Sequence, residues 1–413
     1  MSVPDRKSAI ILNIDGLRPS MLGPYGNTWF DTPGFNRLAA ESIVYQQCIA
    51  EIPDHAVAYQ SLLTGQHPAE LIHGWQRDAV PLWPDFPDDT IFLTDRPVPS
   101  GARIESAFDR VIQIGSSNSV TALAESVEQA TIARFFAESI DWIQNQPETS
   151  LFWLDCQGMF GSWDAPYPFR AQSVDSDDPD APTFHTPPST SFNAQTDDPD
   201  QLLGYQQAYA GQVMLLDQCL TILMEELESS GRLEQTLFCL YSSSGYPLGE
   251  HGVVGDFLPS LHSESIHLPL MIRWPTVEWS AIRNHHLVHP GVILDALNLW
   301  FGGDNGQNGL QPSFGFPPEG MPEKPLEAVF SVCQAANRPL EALQTHAWKL
   351  MRGDGNHLYV QPDDIWEVND LYGHCMDVAQ SMESQLTAGK ERLQQGFPLL
   401  GEPLADDLAF GIE

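Results

Sequence analysis

The sequence predicts an α/β fold built on a largely parallel sheet, and three observations carry that prediction. Short apolar runs at 9–14, 150–154 and 236–241 are continuous rather than alternating, as in strands buried on both faces. Longer stretches with apolar residues at helical spacing lie between such runs, the arrangement of strand–helix–strand units. The first run ends in Asp15-Gly16, which places a carboxylate beyond the C-terminal end of a strand, where open α/β sheets hold their ligands.

Taken in order, residues 9–14 form an isoleucine-rich strand, and Gly16 lets the backbone turn sharply as it leaves the sheet. A proline-rich connection at 81–87 leads to a strand at 90–95, and 109–114 supplies another. Residues 122–146 carry Ile132, Phe135, Phe136, Ile140 and Ile143 on one helical face. The strand at 150–154 follows and ends at Asp155. Residues 160–200 hold runs such as 175–180 and 197–200, rich in aspartate and proline, and read as a long acidic surface loop, functional or partly disordered. A helix over 201–230 places Val213, Leu216, Leu220, Leu223 and Leu227 together. Strands at 236–241 and 268–274 come next, and His289-Pro290-Gly291 introduces a helix at 292–301. No internal repeat is visible.

The chain of 413 residues is long enough for one large core and a smaller subdomain. Its 19 basic and 55 acidic residues give a net charge of −36, with four lysines. Such a field argues against nucleic acid and anionic membranes as partners, leaving a small molecule or a protein. No apolar stretch approaches the roughly 20 residues that span a bilayer. The first strand follows the N-terminus too closely for a signal peptide, which predicts a cytoplasmic protein. The six cysteines are scattered without metal-site spacing and read as reduced thiols.

Asp15-Gly16-Leu17-Arg18, Tyr25-Gly26-Asn27, Thr32-Pro33, Arg37-Leu38-Ala39 and Leu62-Leu63-Thr64-Gly65 together resemble the opening of the sulfatase family, part of the alkaline-phosphatase-like superfamily. Leu248-Gly249-Glu250-His251-Gly252, Leu268-Pro269-Leu270 and the stretch 348–370 are similar to later family blocks. The resemblance implies an alkaline-phosphatase-like α/β domain over 1–325. It further implies a C-terminal subdomain over 326–413, with a small antiparallel sheet followed by a helix at about 373–395.

The resemblance also implies where the chemistry should lie, and there the residues differ. The family's Cys or Ser nucleophile, within Cys-x-Pro-Ser-Arg, falls on His55, and its proline, serine and arginine fall on Val57, Ala58 and Tyr59. Two adjacent metal-binding aspartates become Asp15 and Gly16. Ser-Asp-His-Gly becomes Ser242-Ser243-Ser244-Gly245, so hydroxyls replace a carboxylate and an imidazole that would hold a cation. Asp164 takes the place of a histidine, and Asp256 lies near the place of a lysine. Arg18 matches a family position with a mainly structural role.

The expected site is therefore His55 at the nucleophile position, Asp15 as the one retained metal ligand, and a pocket lined by Arg18, Tyr59, Asp164, Ser243 and Ser244. The pattern predicts a sulfatase scaffold without turnover, with a retained pocket or binding role and no cofactor. The alternative is a hydrolase of sulfate or phosphate esters that uses His55 and one Ca²⁺ or Mg²⁺ at Asp15.

Overall fold

A computed structural model describes residues 7–75, 89–99, 103–115, 120–301, 326–335, 339–353, 355–397, 399–400 and 403–409. The proline-rich connection at 81–87 lies outside these residues, as does the sequence around the expected domain boundary at 325.

Eight strands form the main sheet: β1 (Ser8–Ile14), β2 (Ile43–Ile49), β3 (Thr90–Thr94), β4 (Arg110–Gln113), β5 (Leu151–Cys156), β6 (Thr236–Tyr241), β7 (His267–Arg273) and β8 (Ile282–Val288). Their order across the sheet is β8-β2-β7-β6-β1-β5-β3-β4. Only β7 runs against its neighbours, pairing antiparallel with both β2 and β6. The main helices are α1 (Pro33–Ala40), α2 (His55–Thr64), α3 (Thr131–Asn145), α4 (Pro199–Ser229), α5 (Val292–Phe301) and α6 (Met376–Gln394).

The continuous apolar run of β1 has a direct structural meaning. Its side chains alternate between faces, so Ile10, Leu12 and Ile14 enter one core while Ala9 and Ile11 enter the other. The first core is closed by α3 and α4, through Phe135, Leu216 and Leu220. The second is closed by α2 and α5, through Tyr59, Leu63, Val292 and Ile293. A strand between two helical layers has no face to give to polar residues.

A second sheet, of β9 (Val329–Cys333), β10 (Leu340–Gln344), β11 (Trp348–Arg352) and β12 (Asn356–Val360), is antiparallel throughout. One face, with Val329, Cys333 and Met351, joins the second core of the main sheet. The other, with Phe330, Val332 and Leu350, packs on Met382 and Leu386 of α6. Among the described residues, no helix is long and apolar enough to cross a membrane. The six cysteines are unpaired, and all but Cys375 are buried.

Two expectations need adjustment. The helix expected over 122–146 begins only at Thr131, because the Asp164 carboxylate accepts from Thr131 N at 2.9 Å and Oγ1 at 2.7 Å and caps the helix there. The acidic stretch 160–200 is largely coil but is firmly anchored. Arg170 is fully buried, donating to the carbonyls of Trp163 (2.5 Å) and Pro182 (2.8 Å), and Trp163 is buried in the first core.

Candidate functional site

Parallel neighbours end at the same edge of a sheet, and register brings their last residues together. Asn13 of β1 lies opposite Asp155 of β5 and Tyr241 of β6, and Thr94 of β3 lies opposite Asp155 on its other side. The chain leaves β1 through Asp15 and Gly16, leaves β3 through Asp95 and Arg96, and leaves β6 through Ser242, Ser243 and Ser244. The N-terminus of α2, capped by Asp54 through its bond from Val57 N, brings His55 to this edge and Tyr59 beneath it. The turns are tight: Gly16 has φ +76° and Gly158 has φ +57°, and a Cβ on Gly158 would lie 2.4 Å from the Asp15 carbonyl.

The centre of the cluster is Arg96. Its Nη1 donates to Asp15 Oδ2 at 2.8 Å, and its Nε and Nη2 reach Asp155 Oδ2 and Oδ1 at 3.2 Å each. One guanidinium therefore bridges two buried carboxylates with its planar fork, a geometry that a lysine could not supply. Asp155 also accepts from Asn13 Nδ2 (2.8 Å), His55 Nε2 (3.0 Å), Tyr59 Oη (3.0 Å) and Thr94 Oγ1 (3.0 Å). Asp15 Oδ1 accepts from the hydroxyls of Ser243 (2.9 Å) and Ser244 (2.6 Å).

The electrostatics follow from these contacts. Burial alone would raise the Asp155 carboxyl, but Arg96 and then His55 overcome it and hold the group well below the usual carboxylate range. Burial would lower the Arg96 guanidinium, and Asp155 and Asp15 reverse that and raise it. Asp95, beside Arg96, is pushed up to about 6 by burial. The Tyr59 hydroxyl is driven well up by burial and by Asp155.

The structure brings together Asp15, His55, Tyr59, Ser243 and Ser244, as the sequence predicts. Arg18 is buried nearby, but it serves the scaffold: it pairs with Glu250 at 2.5 Å and donates to the Tyr246 carbonyl at 3.3 Å. Asp164 is occupied with capping α3, and no hydrogen bond joins it to the Asp15 cluster. Sequence reasoning missed Arg96, Asp155, Asn13 and Thr94 as members of the site. Asp155 carried a signal, since it ends a buried strand as Asp15 does. Arg96 carried none beyond following a strand.

A divalent cation at this edge needs several hard oxygen ligands with unengaged lone pairs and net negative charge. The donor set does not fit one. Both oxygens of Asp15 already accept from hydroxyls or from Arg96, and a cation bridging Asp15 to Asp155 would have to displace the guanidinium. Asn13 Oδ1 is the buried side-chain oxygen of the cluster that accepts no hydrogen bond, and it is uncharged.

Residues 97–295 match the family model described as Sulfatase. Solved structures share the fold across almost the whole chain. A protein solved in complex with its substrate D-glucosamine-2-N,6-O-disulfate superposes with a TM-score of 0.74 at 15% identity, covering 96% of this chain and 100% of its own. A putative sulfatase from Bacteroides fragilis gives 0.71 at 15% identity, covering 97% and 98%. The phosphonate monoester hydrolase of Agrobacterium radiobacter gives 0.70 at 15% identity, covering 95% and 96%. No curated protein matches the chain by sequence.

Proposed function

On a sulfatase fold that carries the family's sequence pattern over residues 97–295, we propose that this protein is a non-catalytic relative whose reaction centre is closed by its own guanidinium. The observation that carries this reading is Arg96 held between Asp15 and Asp155. Hydrolysis of a sulfate ester needs cationic groups aimed at the ester oxygens and a nucleophile free to attack. Here Arg96 is spent on two carboxylates and His55 Nε2 on one of them. The hydroxyls of Ser243 and Ser244 point to Asp15. An anionic ester entering this edge would meet two carboxylates whose neutralising cation is already engaged. The scaffold then serves binding rather than turnover, with a small molecule or a protein as its partner.

One observation favours a second reading. The His55 Nε2 contact to Asp155 at 3.0 Å is the orienting half of a histidine–aspartate pair, and it would fix a tautomer in which Nδ1 could take a proton. The protein would then hydrolyse sulfate or phosphate esters with His55 as base. Aryl sulfates, phosphate monoesters and phosphonate monoesters, each tested with Ca²⁺, Mg²⁺, Mn²⁺ or none, separate the two. The non-catalytic reading predicts that wild type and His55→Ala give the same background. Turnover present in wild type and lost in His55→Ala would overturn it.

A further inference from the structure

Away from the Arg96 cluster, two histidines of the large domain meet a glutamate from the turn after β12. His251 and His262 stack with ring centroids 3.5 Å apart and 9° between their planes, and both rings are about one-fifth exposed. The Nδ1 of His251 is 2.7 Å from Glu264 Oε1, and the Nδ1 of His262 is 2.6 Å from Glu367 Oε2. Glu367 is buried, and its other oxygen is held by Lys349 Nζ at 2.5 Å and by the Ser263 hydroxyl.

We propose that His251, His262 and Glu367 are a binding site for a transition-metal dication of the Zn²⁺ type, at the seam between the large domain and the antiparallel subdomain. One ligand atom from each residue lies within 4.8 Å of the other two, close enough for a single ion to gather them. Two imidazoles and one carboxylate are a donor set for zinc, with a fourth position left to water on the exposed side. Imidazole donors also select such ions over Ca²⁺ and Mg²⁺.

The surroundings are built for this. Glu264 at Nδ1 of His251 turns the ring so that Nε2 is its ligating atom, the carboxylate–histidine–metal arrangement. The competing contact of that Nε2, to the Glu367 carbonyl, is long at 3.4 Å. Lys349 and Ser263 fix Glu367 by one oxygen and leave Oε2 facing His262. Imidazole lone pairs lie in the ring plane, so a single ion gathers both rings only where the stacked planes, now 9° apart, tilt open. The surrounding charge suits a dication, since the carboxylates of Glu264 and Glu367 outnumber the one ammonium of Lys349.

The test uses the intact chain and Co²⁺, whose visible absorption reports coordination by imidazole and carboxylate. The expected result is one equivalent of Co²⁺ with tetrahedral-type absorption, displaced by Zn²⁺ and unaffected by Ca²⁺. His251→Gln and His262→Gln should each abolish the signal, and Glu264→Gln should weaken binding about 10–100-fold. Asp15→Asn should leave it intact, which separates this site from the Arg96 cluster. Both histidine variants retain the buried Lys349–Glu367 pair, so a folded protein is expected, with circular dichroism as the check. Absence of stoichiometric Co²⁺ or Zn²⁺ binding in wild type, or equal binding in both histidine variants, overturns the proposal.

Discussion

Removing the Arg96 guanidinium probes the centre of the cluster. Arg96→Ala leaves Asp15 and Asp155 facing one another without the cation that bridges them. Removing one partner of a buried ion pair costs about 3–5 kcal/mol. The Arg96 side chain is only 13% exposed, so solvent screening does little to reduce that figure. Both carboxylates keep other donors, namely Ser243 and Ser244 on Asp15, and Asn13, His55, Tyr59 and Thr94 on Asp155. This places the cost near about 3 kcal/mol. For 413 residues the unfolding entropy is about 0.9 kcal/mol/K, so the melting temperature should fall by about 3–4 °C at pH 7.

The pH dependence has a definite sign. Asp155 is held below its unfolded value in the native protein, so its contribution is present above about pH 4 and is lost as pH falls further. The variant has less of that contribution to lose, so its gap to wild type should narrow below about pH 4. With the guanidinium gone, Ca²⁺ or Mg²⁺ should stabilise the variant and not the wild type. Differential scanning calorimetry at pH 7 and pH 3.5, with and without about 5 mM Ca²⁺ (several-fold above weak sites of about millimolar affinity), measures all three effects. An Arg96→Ala variant as stable as wild type at pH 7, or a wild type that Ca²⁺ stabilises equally, would refute the reasoning.

Other variants test separate contacts. Asp95, pushed up to about 6, keeps a proton in the folded state that the unfolded chain has lost, so wild-type stability should decline as pH rises from about 4 to 6. Asp95→Asn should flatten that window in urea titrations and gain about 2–3 kcal/mol at pH 7; an unchanged slope counts against the assignment. Tyr59→Phe removes the hydroxyl that donates to Asp155 and accepts from Trp153 Nε1 at 2.8 Å, so the urea midpoint should report a loss of about 1–3 kcal/mol. Gly158→Ala forces a side chain into the left-handed region and against the Asp15 carbonyl, costing at least about 1–3 kcal/mol by thermal melting.

Much of the scaffold was legible because it rests on burial and local pattern. The run 9–14 is apolar at every position but Asn13, and only a strand between two helical layers uses such a run well. Long helices with apolar residues at helical spacing, such as α4, appeared within a few residues of their observed bounds, although α4 is buried all round over 207–217. The start of α3 was not legible, because its cap comes from Asp164, more than thirty residues away. Strand β2 was missed because Tyr45, Gln46 and Gln47 interrupt its apolar run, and β8 because polar residues fill its middle.

The site was legible in half. Asp15, His55, Ser243 and Ser244 each lie in motifs whose spacing survives, so their convergence could be expected. Arg96 could not be expected there. Its role depends on β3 lying beside β5, a sheet order that no local pattern encodes. The same holds for Glu367, which reaches His262 across 105 residues of chain.

In the Arg96 cluster a guanidinium stands where a hard divalent cation would otherwise bridge two carboxylates. Isothermal titration of Ca²⁺ and Mg²⁺ into wild type and Asp15→Asn measures this directly, with the acidic surface contributing equally to both. With Arg96 in place, the two isotherms should superimpose and show no stoichiometric site. One tight equivalent in wild type, absent in Asp15→Asn, would show that the cation displaces Arg96 and would contradict the closed centre.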